Sequence, residues 1–254
     1  MTNLLMYQEL RKKFLSDKSR IKAFRKIWRS KSILRRIYFD KWDKMMSFAK
    51  KGKVLEIGSG PGAFKDYRPE AILLDVVDNP WIDVIGDGRN LPFKNSSVNT
   101  IVFVDVLHHM ADPLFFFKEA QRVLKKGGRL IFEEPYVSLF SRLVYQVHHE
   151  GMNLNCDKNN YKSAENKKAL EADLAIPTVM FGRGFKKAKK QFPELKLIHL
   201  DKYDYFFHFL YGNFSYKQLL PSFLYLPMKG VEEKLSFLKE IFSFKMLVVL
   251  EKQK

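Results

Sequence analysis

The sequence predicts an α/β fold built on a mostly parallel, doubly wound sheet. Three observations carry this: short apolar runs that end in glycine or an acid, a well-capped helix between two of them, and a change of hydrophobic period near residue 53. With 254 residues, 46% of them hydrophobic, the chain is long enough for one medium-sized domain with appendages.

The chain opens with two helical patterns. Ile21, Phe24, Ile27 and Trp28 share one helix face; Leu34, Tyr38, Trp42, Met45, Met46 and Ala49 share another within 33–49. Lys and Arg fill the opposite faces. Residues 1–53 hold 17 Lys+Arg against 4 Asp+Glu, whereas the remaining 201 hold 28 against 24. The formal charge of +17 is thus concentrated in a basic amphipathic extension, residues 1–50, ahead of a body spanning 51–254. Two readings stand: peripheral contact with an anionic surface, whether membrane lipid or nucleic acid, and a solvated face on helices packed against the core.

Strands follow. KVLEIG at 53–58, AILLD at 71–75, IDVIG at 82–86, TIVFVD at 100–105 and GRLIFEE at 128–134 are compact apolar runs of the kind buried on both faces of a parallel sheet. Between the last two, Asp112-Pro113 starts a helix that Lys125-Lys126-Gly127-Gly128 ends: N-cap, first-turn proline, cations at the negative end and glycine beyond it. After Glu134 the pattern predicts helix over 137–149, polar loop over 151–163 and helix over 178–192. LKLIHL at 195–200 and FKMLVVLEK at 244–252 read as a final antiparallel pair of strands. Between them, 203–240 is an insertion dense in Phe and Tyr: a substrate lid, a membrane-facing element or the core of a small subdomain.

The single cysteine, Cys156, excludes an internal disulfide and a cysteine-based zinc site. No run of about 18 uncharged apolar residues appears, and the N-terminus lacks a signal-peptide core. The expectation is a soluble, cytoplasmic protein, peripheral at the membrane if residues 1–50 bind lipid.

The chemistry centres on Glu56-Ile-Gly58-Ser59-Gly60-Pro-Gly62 at the end of the first strand. Closely spaced glycines let a ligand lie against bare backbone at the carboxyl end of the sheet. The pattern is G-x-G-x-G with an acid two residues before it, not the dinucleotide G-x-G-x-x-G, which favours a cationic ligand over a pyrophosphate.

VLEIGSGPG resembles the first motif of class I S-adenosylmethionine (SAM)-dependent methyltransferases, in particular their type 11 domain. Three further segments match in order: LLD ending in Asp75, GDGRNLPF with Asp87, and DVLHHMADP followed by RVLKKGGRL. The resemblance covers about residues 50–135. It implies a Rossmann-like seven-stranded sheet, mostly parallel with an antiparallel last strand, and SAM as the cofactor. It places Glu56, Gly58, Ser59, Gly60 and Gly62 at the cofactor's amino-acid tail, Asp75 and Val76 at the ribose, and Asp87, Gly88 and Arg89 at the adenine. Asp105, ending the fourth strand, reads either as a contact to the cofactor or as a solvated strand terminus. His108 and His109 lie where such enzymes meet substrate, so either suits a general base or merely fixes the loop. His148 and His149 suit substrate contact, and equally a polar helix end; with Glu150 they lack metal-chelating spacing, and no metal is expected.

Departures from the family pattern are Asn99, where an Asp is usual, a short first helix, and only eleven residues between Asp75 and Asp87. That gap is too short for the usual helix, and the basic N-terminal helices are expected to cover the sheet there. The implied activity is methyl transfer to a small-molecule, glycan or lipid-linked acceptor. RNA methylation is disfavoured by DVLHH, which stands where amino-methylases of nucleic acids carry N/D-P-P-Y/F. A non-catalytic SAM-binding scaffold is the remaining alternative.

Overall fold

The computed structural model describes residues 7, 10, 16–148, 173–205 and 207–253. Helix α1 (Asp17–Ser30) starts where the Ser16 hydroxyl accepts the Ser19 N–H, with Asp17 in its first turn and Arg29 in its last. Lys31 is extended, and α2 (Ser32–Met46) follows it. The chain then enters the sheet: β1 (Val54–Ile57), α3 (Phe64–Tyr67), β2 (Ile72–Asp75), β3 (Val84–Ile85), β4 (Val98–Val104), α4 (Pro113–Val123) and β5 (Leu124–Pro135). Helices α5 (Leu139–His148), α6 (Ala175–Phe181) and α7 (Phe185–Ala188) lead to β6 (Leu195–Tyr203). The insertion holds α8 (Phe207–Leu210), α9 (Tyr225–Lys234) and α10 (Lys239–Phe242), and β7 (Lys245–Lys252) closes the sheet.

Strand order is β3-β2-β1-β4-β5-β7-β6. All neighbours through β5 pair in parallel, and β7 is antiparallel to both β5 and β6. The order reverses at β1 and β4, so the cavity at their carboxyl ends lies at a topological switch point.

Side chains alternate between two cores. On one face Leu55, Ile57, Phe103, Leu130, Phe132 and Val248 meet α4, α6 and α7 through Phe116, Phe117, Met180, Phe181 and Ala188. On the other, Val54, Leu73, Val102, Ile131, Leu247 and Val249 meet Ile27, Trp28, Leu34, Trp42 and Met45 of α1 and α2. No helix occupies 76–83, and α1 stands across that stretch: Lys18 pairs with Asp78 at 2.7 Å and the Arg25 guanidinium lies 5.8 Å from the Trp81 ring centroid. The basic extension therefore covers the sheet surface that the short β2–β3 connection leaves bare. Asn99 costs little, because its amide oxygen accepts the Lys53 N–H at 3.1 Å.

Three boundaries differ from the sequence expectation. Helix α4 stops at Val123, before the lysines, because Leu124 is drawn into the sheet beside Val98 and fully buried. The helix expected over 178–192 is broken at Gly182 into α6 and α7. The strand at 82–86 shrinks to two residues at the sheet edge. The insertion divides: Tyr211 and Tyr225 form a small core with Ile33 and Ile37 of α2, while Phe223, Leu226 and Phe237 are exposed. Among the described residues no helix is long and apolar enough to cross a membrane.

Trp28 is the hub of the α1 contact, fully buried, with its Nε1–H donating to Asp66 Oδ2 at 2.6 Å and its ring 6.1 Å from that of Phe214. Trp28→Ala is expected to lower stability by about 3–5 kcal/mol in urea unfolding. Lys18→Ala, which removes an exposed pair, should cost less than about 1 kcal/mol. Equal losses would mean that α1 is held by its charges and not by its apolar face.

Candidate functional site

A cavity of about 690 Å³ opens at the carboxyl ends of β1, β2 and β4. At Gly58, φ is +65° and an added Cβ would lie 2.5 Å from the Val106 side chain, so only glycine lets the chain leave β1 here. Gly62 has φ +66° and the same closeness to Trp81. The Ser59 N–H donates to the Leu74 carbonyl at 3.1 Å, tying the glycine turn to the end of β2.

Two buried acids face this turn. The Asp75 carboxylate accepts the Gly60 N–H at 2.7 Å on one oxygen and the Val77 N–H at 2.8 Å on the other. Burial raises its pKa and those N–H groups oppose the rise. Glu56 is 6% exposed and its Oε2 has no hydrogen-bond partner among the described residues. Burial pushes its carboxyl up to about 8, with the Asp75 charge adding to the shift.

Val76, Asp87, Gly88 and Arg89 complete this end of the cavity. Asp87 is engaged by Arg89: Nε lies 3.1 and 3.0 Å from its two oxygens, Nη2 lies 2.7 Å from Oδ2, and the Arg89 N–H donates to Oδ1 at 2.8 Å. Burial works against the Asp87 charge, but the Arg89 bonds prevail and lower its pKa.

At the other end, Asp105 leaves β4 with φ +59° and its side chain is bound by the Lys245 ammonium. Burial would raise its pKa, yet Lys245, His108 and Lys41 together hold it well below the usual carboxylate range. The turn Leu107–His109 is organised by Glu134, which is fully buried. One Glu134 oxygen accepts the Val106 and Leu107 N–H groups at 2.7 and 2.6 Å, and the other lies 2.6 Å from His108 Nδ1. Burial, then the nearby Asp105 charge, pushes Glu134 up to about 8. His109 packs against His108 with ring centroids 4.2 Å apart and planes tilted by 39°, and both line the cavity.

Acceptor atoms of Asp105, His108 and Glu134 lie within 4.8 Å of one another, a spacing that would admit a metal ion. Lys245, two backbone N–H groups and the His108–Glu134 bond already engage this trio. His148 ends α5, and His149 lies outside the described residues. Among the described α5 side chains Tyr145 lines the cavity, and its hydroxyl donates to the Phe244 carbonyl at 3.1 Å.

Among the described residues, 55–132 match the methyltransferase domain family. An uncharacterized protein of Methanocaldococcus jannaschii is 32% identical over 103 residues, 37% of this chain and 50% of the relative. An uncharacterized 37.1 kDa protein in a transposon of Streptomyces fradiae is 34% identical over 84 residues, 33% of this chain and 23% of the relative. The chain spans half or less of the length of these curated relatives. A SAM-dependent methyltransferase from Archaeoglobus fulgidus superposes with a TM-score of 0.53 at 14% identity, over 86% of this chain and 94% of that one. One from Thermotoga maritima gives 0.53 at 17%, over 94% and 100%. At such identity the likeness is one of fold.

Residues 55–132 carry a methyltransferase domain, and the fold is the one seen in SAM-dependent methyltransferases.

The cofactor of such domains is SAM, and the cavity fits it. The orphaned Glu56 Oε2 offers an acceptor to the ammonium of the amino-acid tail, and each Asp75 oxygen keeps a lone pair for a ribose hydroxyl. Asp87 already carries Arg89, so an adenine amine meeting it would have to share or displace that guanidinium. The methyltransferase motifs did not reveal the cavity wall supplied by Asp17, Arg20, Ile21 and Phe24 of α1, nor Tyr38 of α2, Glu134, Tyr145 and Lys245. Glu134 left one trace in the sequence, two consecutive acids closing an apolar strand; Lys245 left none.

Glu56 sets a pH dependence. Its carboxyl is protonated below about 8, so an ammonium placed beside it drives proton loss. S-adenosylhomocysteine binding at pH 7 is expected to release close to one proton, read by calorimetry in buffers of different ionisation heat, with affinity rising from pH 6 to 8. Glu56→Gln should abolish both; an unchanged proton count in the variant would rule out Glu56 as the amine's partner. The same raised pKa gives folding stability that is full below 4.5 and lost as pH rises through about 8. Glu56→Gln should flatten that slope in urea titrations.

Proposed function

We propose that this protein transfers the methyl group of SAM to a hydroxyl of a small-molecule, glycan or lipid-linked acceptor, with His108 as general base. The observation that supports it is the 2.6 Å bond between His108 Nδ1 and a Glu134 carboxyl clamped by two backbone N–H groups. Once Glu134 ionises, as pH rises through about 8, its oxygen holds a proton on Nδ1 and leaves the ring's lone pair on Nε2. Bound SAM supplies an electrophilic sulfonium methyl group. An acceptor hydroxyl placed at Nε2 would give up its proton there as its oxygen took the methyl group and S-adenosylhomocysteine departed, and the nearby anionic Asp105 would stabilise the resulting imidazolium. Holding acceptor and methyl donor in line supplies the rest of the acceleration. Tyr38, Tyr145, Leu174 and Phe214 line the cavity, which suits an acceptor with an apolar body and one polar end.

The test is label transfer from methyl-labelled SAM to a panel of phenolic, sugar and lipid-linked hydroxyl acceptors. With an accepted compound, His108→Ala is expected to lower kcat about 10²–10⁴-fold while S-adenosylhomocysteine affinity holds. Glu134→Gln should keep part of the rate and shift the pH profile, as a positioning residue does. Full kcat in His108→Ala would refute the base assignment. Failure of the folded wild type to bind SAM would refute the enzyme reading and leave a scaffold.

A further inference from the structure

A second cavity, of about 620 Å³, lies along α1 and is lined by Lys22, Arg25, Lys26, Arg29, Pro80 and Trp81. The cofactor cavity takes Asp17, Arg20, Ile21 and Phe24 from one face of α1, and this groove takes four cations from another. Their spacing of three, one and three residues makes a single stripe about 10 Å long. Like charges so placed weaken a helix. Arg25 is balanced by Asp66 at 3.2 Å. Lys22 and Arg29 are exposed, and neither has an acidic partner among the described residues. Facing the stripe is Trp81, part-buried, with the Arg25 guanidinium 5.8 Å from its ring centroid. Its backbone is held by Pro80 before it and by the Asn79 side chain, which accepts the Trp81 N–H at 3.1 Å.

We propose that this groove binds single-stranded nucleic acid, with phosphates on Lys22, Lys26 and Arg29 and a base against Trp81. A stripe of cations beside a preset aromatic ring matches a ligand that alternates phosphate with a flat π-face. The stripe is long enough for two or three consecutive phosphates. A lipid surface fits less well: none of the large exposed apolar side chains among the described residues lies on α1 or α2 to enter the acyl region. The strand is a ligand of the groove whatever accepts the methyl group.

Trp81 also provides the readout, because Trp28 and Trp42 are buried at 0% and 2% exposure. A fluorescein-labelled 12-nucleotide RNA of mixed sequence is titrated with the full chain between 50 and 300 mM KCl, by anisotropy and by tryptophan emission with unlabelled strand. The expected result is salt-sensitive binding that quenches emission, with the quench lost in Trp81→Phe. The triple variant Lys22→Ser, Lys26→Ser and Arg29→Ser should bind at least tenfold more weakly at 100 mM KCl. Its slope of log K on log salt should be shallower by about 2, with S-adenosylhomocysteine binding unchanged. No binding at 50 mM KCl, equal binding by the triple variant, or binding that leaves emission unchanged would overturn the proposal. So would ATP competing as well as the strand at equal phosphate, or binding to phosphatidylglycerol vesicles without binding to the strand.

Discussion

Two consecutive glutamates, Glu133 and Glu134, are fully buried near the end of β5, a central strand. A carboxyl group removed from water must find partners, and adjacent strand residues point to opposite faces, so each has to find its own. Glu133 is met by Lys41 of α2 at 2.7 Å and by the Tyr203 hydroxyl, with Lys245 4.0 Å away. Burial alone would lower the Lys41 pKa, but Glu133 and Asp204 more than reverse it. Glu134 is met on the other face by the turn that follows β4. One dipeptide thereby joins the N-terminal helices, the antiparallel end of the sheet and the loop carrying His108. Removing any one partner would leave a buried polar group short of a hydrogen bond, which costs more than an exposed pair is worth.

The same economy explains the N-terminal extension. With eleven residues between Asp75 and Asp87 there is no helix to bury the apolar face of β2, and α1 and α2 bury it instead. Having taken that position, α1 also becomes a wall of the cofactor cavity and one side of the basic groove. Its amphipathic pattern serves a packing role on one stripe and leaves Lys22 and Arg29 to water or to a ligand. Positive charge and core packing are thus not alternative readings of the extension; they occupy different faces of one helix.

Asp105 shows how tertiary context changes the meaning of a strand-end acid. Its φ of +59° turns the side chain back against Lys245, the first residue of β7. That ion pair ties the acceptor end of the cavity to the last strand. Asp87 shows the opposite: its partner Arg89 is two residues away, and their mutual hold is a purely local matter.

What the sequence determined by itself was whatever depends on neighbours a few residues apart. The glycine turn at Gly58 and Gly62, the acids Glu56 and Asp75 at strand ends, the cap at Asp112 and the α/β alternation all rest on local backbone geometry, and each stands where the residues placed it. The end of α4 was misplaced because the sheet's demand for Leu124 outweighed the local stop signal of lysine and glycine. Only the tertiary structure decided which groups surround His108, because Glu134 lies 26 residues on and the Lys41–Glu133 and Lys245–Asp105 pairs span 92 and 140. Such contacts exist only after the sheet has ordered its strands. Burial then dictates the pairing of Glu133 and Glu134, which have no water to turn to.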